Sequence, residues 1–231
     1  MSSKAMNGTK HLCENMSFAS HEAIKKLRTN LGIVLPQSDG CKVIGITSAQ
    51  PGEGKSVSSI NLAYSFAELG RKILLIDADL HRPTIGEKLA MTGEIGFGDL
   101  LTSANEISSA VVPYVSSGGQ TGFDVILTKP IENTSELLSS PRFSALLKAL
   151  SEAYDYIFID LPPIGAVIDA VIVGKHTDGM IVIARENETL KKQFDNCIKQ
   201  LEFAGIKIFG LVFNGSMEGA DKKYQRRYGY Y

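Results

Sequence analysis

The sequence predicts a single α/β domain: a mostly parallel central sheet with helices on both faces, followed by a flexible C-terminal tail. Three observations carry that prediction. Short Val- and Ile-rich runs alternate with longer helical patterns, as βαβ units require when a sheet is buried on both faces. The stretch Ser48-Ala49-Gln50-Pro51-Gly52-Glu53-Gly54-Lys55-Ser56 joins one such run to a helical pattern and has the composition of a phosphate-binding loop. After Gly215 the apolar periodicity stops.

The first element stands before the alternation. Residues 17–32 predict an amphipathic helix with Ile24, Leu27 and Leu31 on one face, a serine cap at Ser17 or Ser20, and Gly32 as the stop. The first strand is expected at 42–47 and the helix after the loop at 56–69. Then come strand 72–77, helix 97–101, strand 123–127 and helices 135–138 and 142–153. Strand 156–160, helix 167–175, strand 179–184, helix 190–204 and strand 208–214 complete the pattern. Crossovers between parallel strands are right-handed and leave ligands at the carboxyl ends of the strands, where the loop at 48–56 falls. The chain therefore divides into an N-terminal segment, 1–40, a core, 41–214, and a tail, 215–231.

Bulk properties remove several function classes. At 231 residues and 44% hydrophobic, the chain can bury one full α/β core. Lys and Arg number 24 against 25 Asp and Glu, so no whole-molecule field favours nucleic acid, and no nucleic-acid partner is expected. No uncharged apolar run reaches the ~18 residues of a membrane span, and the start lacks the apolar core of a signal peptide, so a cytoplasmic placement is expected. Cys13, Cys41 and Cys197 form no metal-binding pair, and the histidines are scattered.

The loop chemistry is geometric. Glycines at 52 and 54 let the backbone curl so that successive N–H groups face a polyphosphate. Lys55 reaches the outer phosphates, the Ser56 hydroxyl is placed to ligate magnesium, and the following helix directs its positive end at the same anion. The nucleotide-binding set is Gly52, Glu53, Gly54, Lys55, Ser56 and Val57. The strict pattern begins on a glycine where this chain has Ala49.

Binding phosphate is not moving it; transfer also needs magnesium and a placed nucleophile. Acids at two strand ends supply the rest. One apolar run ends in Asp77-Ala78-Asp79, whose carboxylates lie two apart and share a face, which makes joint metal coordination feasible. Another ends in Asp160-Leu161-Pro162-Pro163, similar to a Walker B acid followed by a rigid turn. Lys55, Asp77, Asp79 and Asp160 form the candidate catalytic set. Asn214-Gly215 reads equally as a turn and as an adenine contact.

Four of the eight tyrosines fall in the last eight residues, Tyr224, Tyr228, Tyr230 and Tyr231, among Lys222, Lys223, Arg226 and Arg227. Residues 221–231 carry a formal charge of +3. Three readings stand: a stacking surface for single-stranded nucleic acid, a solvated tail, or a phosphate acceptor. Beyond Asn214 the chain spans roughly 55–60 Å extended and about 20–25 Å as a coil, so reach does not separate its own site from a neighbour's. Four phosphates would carry the tail to roughly −3 to −5.

The loop at 48–56, Asp77-Ala78-Asp79, Asp160 to Pro163 and the tyrosine cluster together resemble the bacterial tyrosine kinases, the BY-kinases of capsule and exopolysaccharide operons. The resemblance is to their stand-alone cytosolic form, CpsD/CapB-like, with a P-loop NTPase-like fold, and it covers essentially the whole chain. It implies ATP-dependent tyrosine autophosphorylation with ATP and Mg2+. It also implies a ring-shaped homo-oligomer and a membrane activator of the polysaccharide co-polymerase type, whose cytosolic segment recruits the kinase to the inner face of the plasma membrane. A tyrosine phosphatase of the same system is a further expected partner. By the same analogy Lys55 and Ser56 hold phosphate and magnesium, Asp77 assists the attacking phenol, and Asp79 and Asp160 organise the metal with Ser56.

Three departures from the family pattern stand out. The family's acidic motif continues Asp-x-Arg, whereas Asp79 is followed by Leu80-His81-Arg82, which moves the arginine one place on. The ring-forming motif Glu-x-x-Arg-x-x-Arg appears as Glu22, Lys25 and Arg28, where lysine keeps the charge and loses the bidentate fork. Without the resemblance that stripe also reads as a solvated face. Ala49 in place of the first loop glycine is a change the family tolerates.

Two rivals remain: a Min/Par-like ATPase switch and a non-catalytic ATP-binding adaptor for a membrane polysaccharide protein. The first is similar in lineage but uses an early loop lysine, where this chain has Gln50. Intact acids at 77, 79 and 160 argue against the second.

Overall fold

The computed structural model describes residues 12–103 and 105–215, so the expected tail tyrosines at 224, 228, 230 and 231 lie outside the described residues. A 3-10 turn, Cys13–Asn15, precedes α1, Phe18–Val34. Ser17 caps α1, its hydroxyl accepting the Ser20 N–H at 3.2 Å. The helix does not stop at Gly32. Leu31 and Leu35 are both buried, and burying two leucines outweighs the ~1 kcal/mol that one helical glycine costs.

The core follows as β1, Lys42–Ser48; α2, Lys55–Ala67; β2, Ile73–Asp77; α3, Ile85–Leu89; α4, Phe97–Thr102; α5, Ile107–Ala110; and β3, Val111–Val115. Next come β4, Gly122–Ile126; α6, Thr134–Leu138; α7, Pro141–Ser151; β5, Tyr156–Asp160; and α8, Asp169–Gly174. The last are β6, Gly179–Arg185; α9, Lys191–Phe203; and β7, Ile208–Asn214. All six expected strands and the expected core helices are present, their ends within two residues of the sequence reading.

The strands make one seven-stranded sheet in the order β3-β4-β2-β5-β1-β6-β7. Every pairing is parallel except β3 with β4. The period-2 alternation of a strand sends neighbouring residues to opposite faces. In β2, Ile73 and Leu75 join the cluster under α1 to α3, while Leu74 and Ile76 join the cluster under α4 to α9; in β5, Phe158 faces the first and Ile157 and Ile159 the second. Apolar residues on both faces are what a sheet covered on both sides requires.

The sequence reading missed β3, α3 and α5. Val111-Val112-Pro113-Tyr114-Val115 carries a proline, which cannot donate to a ladder and is tolerated at a sheet edge, where β3 lies against β4. The two helices are five and four residues long, too short to display a helical period.

Candidate nucleotide and phosphoryl-transfer site

Strands β2, β5 and β1 lie side by side, and their carboxyl ends bring the expected residues together. Asp77 and Asp160 are direct register partners at the last positions of β2 and β5. On the other flank of β5, Ile46 of β1 pairs with Asp160. Two residues beyond Ile46, β1 ends at Ser48 and turns into the loop.

Gly52 has φ +84° and Gly54 φ +94°, conformations that side chains with a Cβ rarely adopt. Gly54 sits at the N-cap of α2. The loop is wired from within and from outside. The Ser48 hydroxyl donates to Gln50 O at 2.8 Å, and the Gln50 N–H donates to Glu53 Oε2 at 2.9 Å. The other Glu53 oxygen accepts from the Thr189 hydroxyl, whose own oxygen accepts the Arg185 N–H at 2.7 Å. Asn214 Nδ2 donates to Glu53 O at 3.1 Å. A Cβ at Gly54 would stand 1.9 Å from that same Nδ2, so the close approach needs glycine.

Behind the loop the buried polar groups are linked. Lys55 and Ser56 are buried, and the Thr84 hydroxyl donates to Ser56 Oγ at 2.9 Å. Ser59 Oγ lies 3.0 Å from both Lys55 O and Asp160 Oδ1. Asp160 Oδ2 is buried with no hydrogen-bond partner. Burial pushes the Asp160 carboxyl upward, against the pull of the Lys55 ammonium and the hydroxyls of Ser56 and Ser59. Asp77 Oδ2 accepts the N–H groups of Thr84 and Ile85 at 3.1 and 3.0 Å, and Oδ1 that of Asp79 at 3.3 Å. Burial, with the like charge of Asp160 beside it, pushes the Asp77 carboxyl up to about 7 despite those bonds. Asp79 Oδ1 accepts the Arg82 N–H at 3.0 Å and thereby shapes the turn into α3.

A cleft of about 760 Å³ opens over the loop, within the usual size range of ligand sites. Gly52, Gly54, Lys55, Ser56, Val57, Asp79 and Asn214 line it, as do His81, Arg82, Thr84, Lys88 and Arg185. Glu53, Asp77 and Asp160 stand outside that lining; Asp77 and Asp160 are each only 1% exposed. The expected set thus separates into a layer that lines the cleft and a buried acidic layer directly behind it. Among the described residues no three His, Cys, Asp or Glu side chains converge as a metal cage. The residues present nevertheless suit magnesium, which keeps several waters and takes few protein oxygens: a hydroxyl at Ser56, a carboxylate at Asp79, and the orphaned Asp160 oxygen beside Lys55.

Sequence reasoning missed Ser59, Thr84, Arg185 and Thr189. Arg185 alone carried a signal, because it ends a parallel strand on the ligand-bearing edge. Asn214 is placed as a partner of the loop: its Nδ2 serves Glu53 O and its Oδ1 accepts the Gly215 N–H at 2.9 Å. The expected oligomerisation stripe also divides. Lys25 Nζ lies 3.1 Å from Glu22 Oε1 on the open face of α1. Arg28 turns inward, donating to Ser65 O and, at 3.0 Å, to Ser65 Oγ, with Glu68 Oε2 at 3.6 Å.

Residues 41–202 match the family model described as an AAA domain. The chain is 35% identical over 211 residues to the tyrosine-protein kinase YwqD of Bacillus subtilis, spanning 91% of this chain and 85% of that protein. It is 32% identical over 212 residues to the tyrosine-protein kinase etk of Escherichia coli, spanning 91% of this chain but only 28% of that longer protein. The solved kinase domain of Escherichia coli ETK superposes with a TM-score of 0.81 at 31% identity, covering 92% of this chain and 82% of that one.

Proposed function

Because this chain belongs to the bacterial tyrosine kinases, we propose that it transfers the γ-phosphoryl group of ATP to tyrosines 224, 228, 230 and 231, in trans between copies in an oligomer. The observation that carries this reading is the register pairing of Asp77 with Asp160 beside the phosphate loop, which sets acids and phosphate cradle on three adjacent strand ends.

The loop N–H groups at 52–56 cradle the phosphates, and the Lys55 ammonium lies on the outer ones. Ser56, Asp79 and Asp160 would hold magnesium, which would supply neutralisation of the charge developing on the transferred group. The phenol oxygen forms a bond to the γ-phosphorus as the bond to the ADP oxygen breaks, and the phenolic proton passes to Asp77. A carboxyl pushed up to about 7 by burial suits that acceptor role. Thr84 and Ile85 occupy its Oδ2, so the 79–85 segment decides access to it.

A Min/Par-like switch is disfavoured by Gln50, which stands where that lineage places its signature lysine. A non-catalytic adaptor leaves the buried acids without a task. We place the protein in capsular or extracellular polysaccharide synthesis or export, because a related kinase from Klebsiella pneumoniae is named for a cps region. The partners assigned to it are a membrane activator of the co-polymerase type, which recruits the chain from the cytoplasm to the inner membrane face, and a cognate tyrosine phosphatase. Residues 1–40 serve oligomer contact and 215–231 serve as acceptor.

A mixing experiment tests the trans route. Lys55→Met chains with intact tyrosines are combined with chains whose four terminal tyrosines are Phe, plus ATP, magnesium and the activator's cytosolic segment. Phosphotyrosine on the Lys55→Met chain is expected; its absence removes the trans mechanism.

A further inference from the structure

Building on the reading of this cleft as an ATP site, we infer that Arg185 is the platform on which the nucleobase stacks, beside an Asn214 that braces the phosphate loop. Sheet order gives the direction of the nucleotide. The reacting groups Asp77, Asp79 and Asp160 stand at the carboxyl ends of β2 and β5, on one side of β1 and its loop; β6 and β7 lie on the other side. A triphosphate whose outer end meets the acids must therefore run its nucleoside over the ends of β6 and β7. There the cleft is lined by Arg185, Asn214 and Gly215.

Of these, Asn214 is braced against the loop. Its amide nitrogen donates to Glu53 O, its oxygen accepts from Gly215, and the missing Cβ of Gly54 lets it sit against the loop. Arg185 is held differently. Its Nη1 donates to Gly52 O at 3.2 Å and its Nε lies 3.0 Å from Glu188 Oε1. The first is a hydrogen bond and the second an ion pair; together they tether the guanidinium at the rim of the cleft, where a flat π-system can meet it. The side chain is 44% exposed, and a Cβ on Gly215 would stand at ordinary contact distance, 3.6 Å, from Arg185 Cγ, so glycine leaves the space beside the arginine open. The position after Asn214 thus bears on the same end of the cleft.

The test measures binding by titration calorimetry on the full chain, with magnesium, using ATP and inorganic tripolyphosphate as probes. Arg185→Ala is expected to weaken ATP on the order of tenfold, the scale of one cation–π contact, and to leave tripolyphosphate within about twofold. Arg185→Lys, which keeps the charge and loses the plane, falls between. Equal losses for both probes would show that Arg185 acts only through Gly52 O and would overturn the inference, as would an unchanged ATP affinity. A wild-type chain that binds neither probe overturns the ATP-site reading itself, and the platform with it.

Discussion

Asp77 and Asp160 end neighbouring parallel strands in direct register, each 1% exposed, so two carboxyl groups are buried side by side beneath the phosphate loop. Such a pair cannot ionise freely. The folded Asp77 carboxyl is pushed up to about 7 from an ordinary 3.8, so between those values the folded chain holds a proton that the unfolded chain has released. A group raised in this way costs stability as pH climbs through the window, and the loss levels off above about pH 7.

For metal-free protein this predicts that urea unfolding shows stability falling between pH 4 and 7. Asp77→Asn should flatten that slope and stabilise the protein at pH 8 by a few kcal/mol at most, on the order of 1.4 kcal/mol per unit of pKa shift removed, while reducing phosphoryl transfer. An unchanged slope in Asp77→Asn would assign the pH dependence to other groups.

Gly54→Ala should abolish nucleotide binding. Its φ of +94° strains any side chain and its Cβ meets Asn214 Nδ2. The double variant Gly54→Ala with Asn214→Ala removes the clash and keeps the backbone strain of about 1 kcal/mol, so it should recover part of the lost thermal stability. No recovery at all would mean that strain alone sets the cost.

Arg28 and Lys25 should separate under mutation. Arg28→Ala removes a hydrogen bond to a carbonyl in the last turn of α2 and a partly buried ion pair with Glu68, and should cost roughly 1–2 kcal/mol in chemical denaturation. Lys25→Ala breaks only an exposed pair and should stay within about 0.5 kcal/mol. If the open face of α1 carries the oligomer contact, light scattering will show Lys25→Ala shifting toward smaller species. An Arg28→Ala chain of full stability would contradict its placement as a clamp between α1 and α2.

The parallel core was legible because its signals are local and periodic: apolar runs of strand length, helical patterns between them, and glycines, lysine and serine contiguous at 52–56. Asp77, Asp79 and Asp160 were legible because parallel strands present their ends to ligands. Thr84 was not, because its bond to Ser56 joins residues 28 apart through the turn into α3, which is too short to show a period. Arg28 looked like part of a charged stripe, and its inward turn depends on where Ser65 of α2 and Glu68 at its C-terminal cap lie. Gly32 looked like a stop, and only the burial of Leu35 beyond it shows why the helix continues.

The measurement that bears most directly on the central claim is site-resolved mass spectrometry of the full chain after incubation with ATP and magnesium, with the activator's cytosolic segment supplied. The account predicts phosphate on Tyr224, Tyr228, Tyr230 and Tyr231 in the wild type, none on Lys55→Met, and residues 221–231 moving from +3 to roughly −3 to −5. Wild-type protein that consumes ATP while all four tyrosines stay unmodified would contradict it.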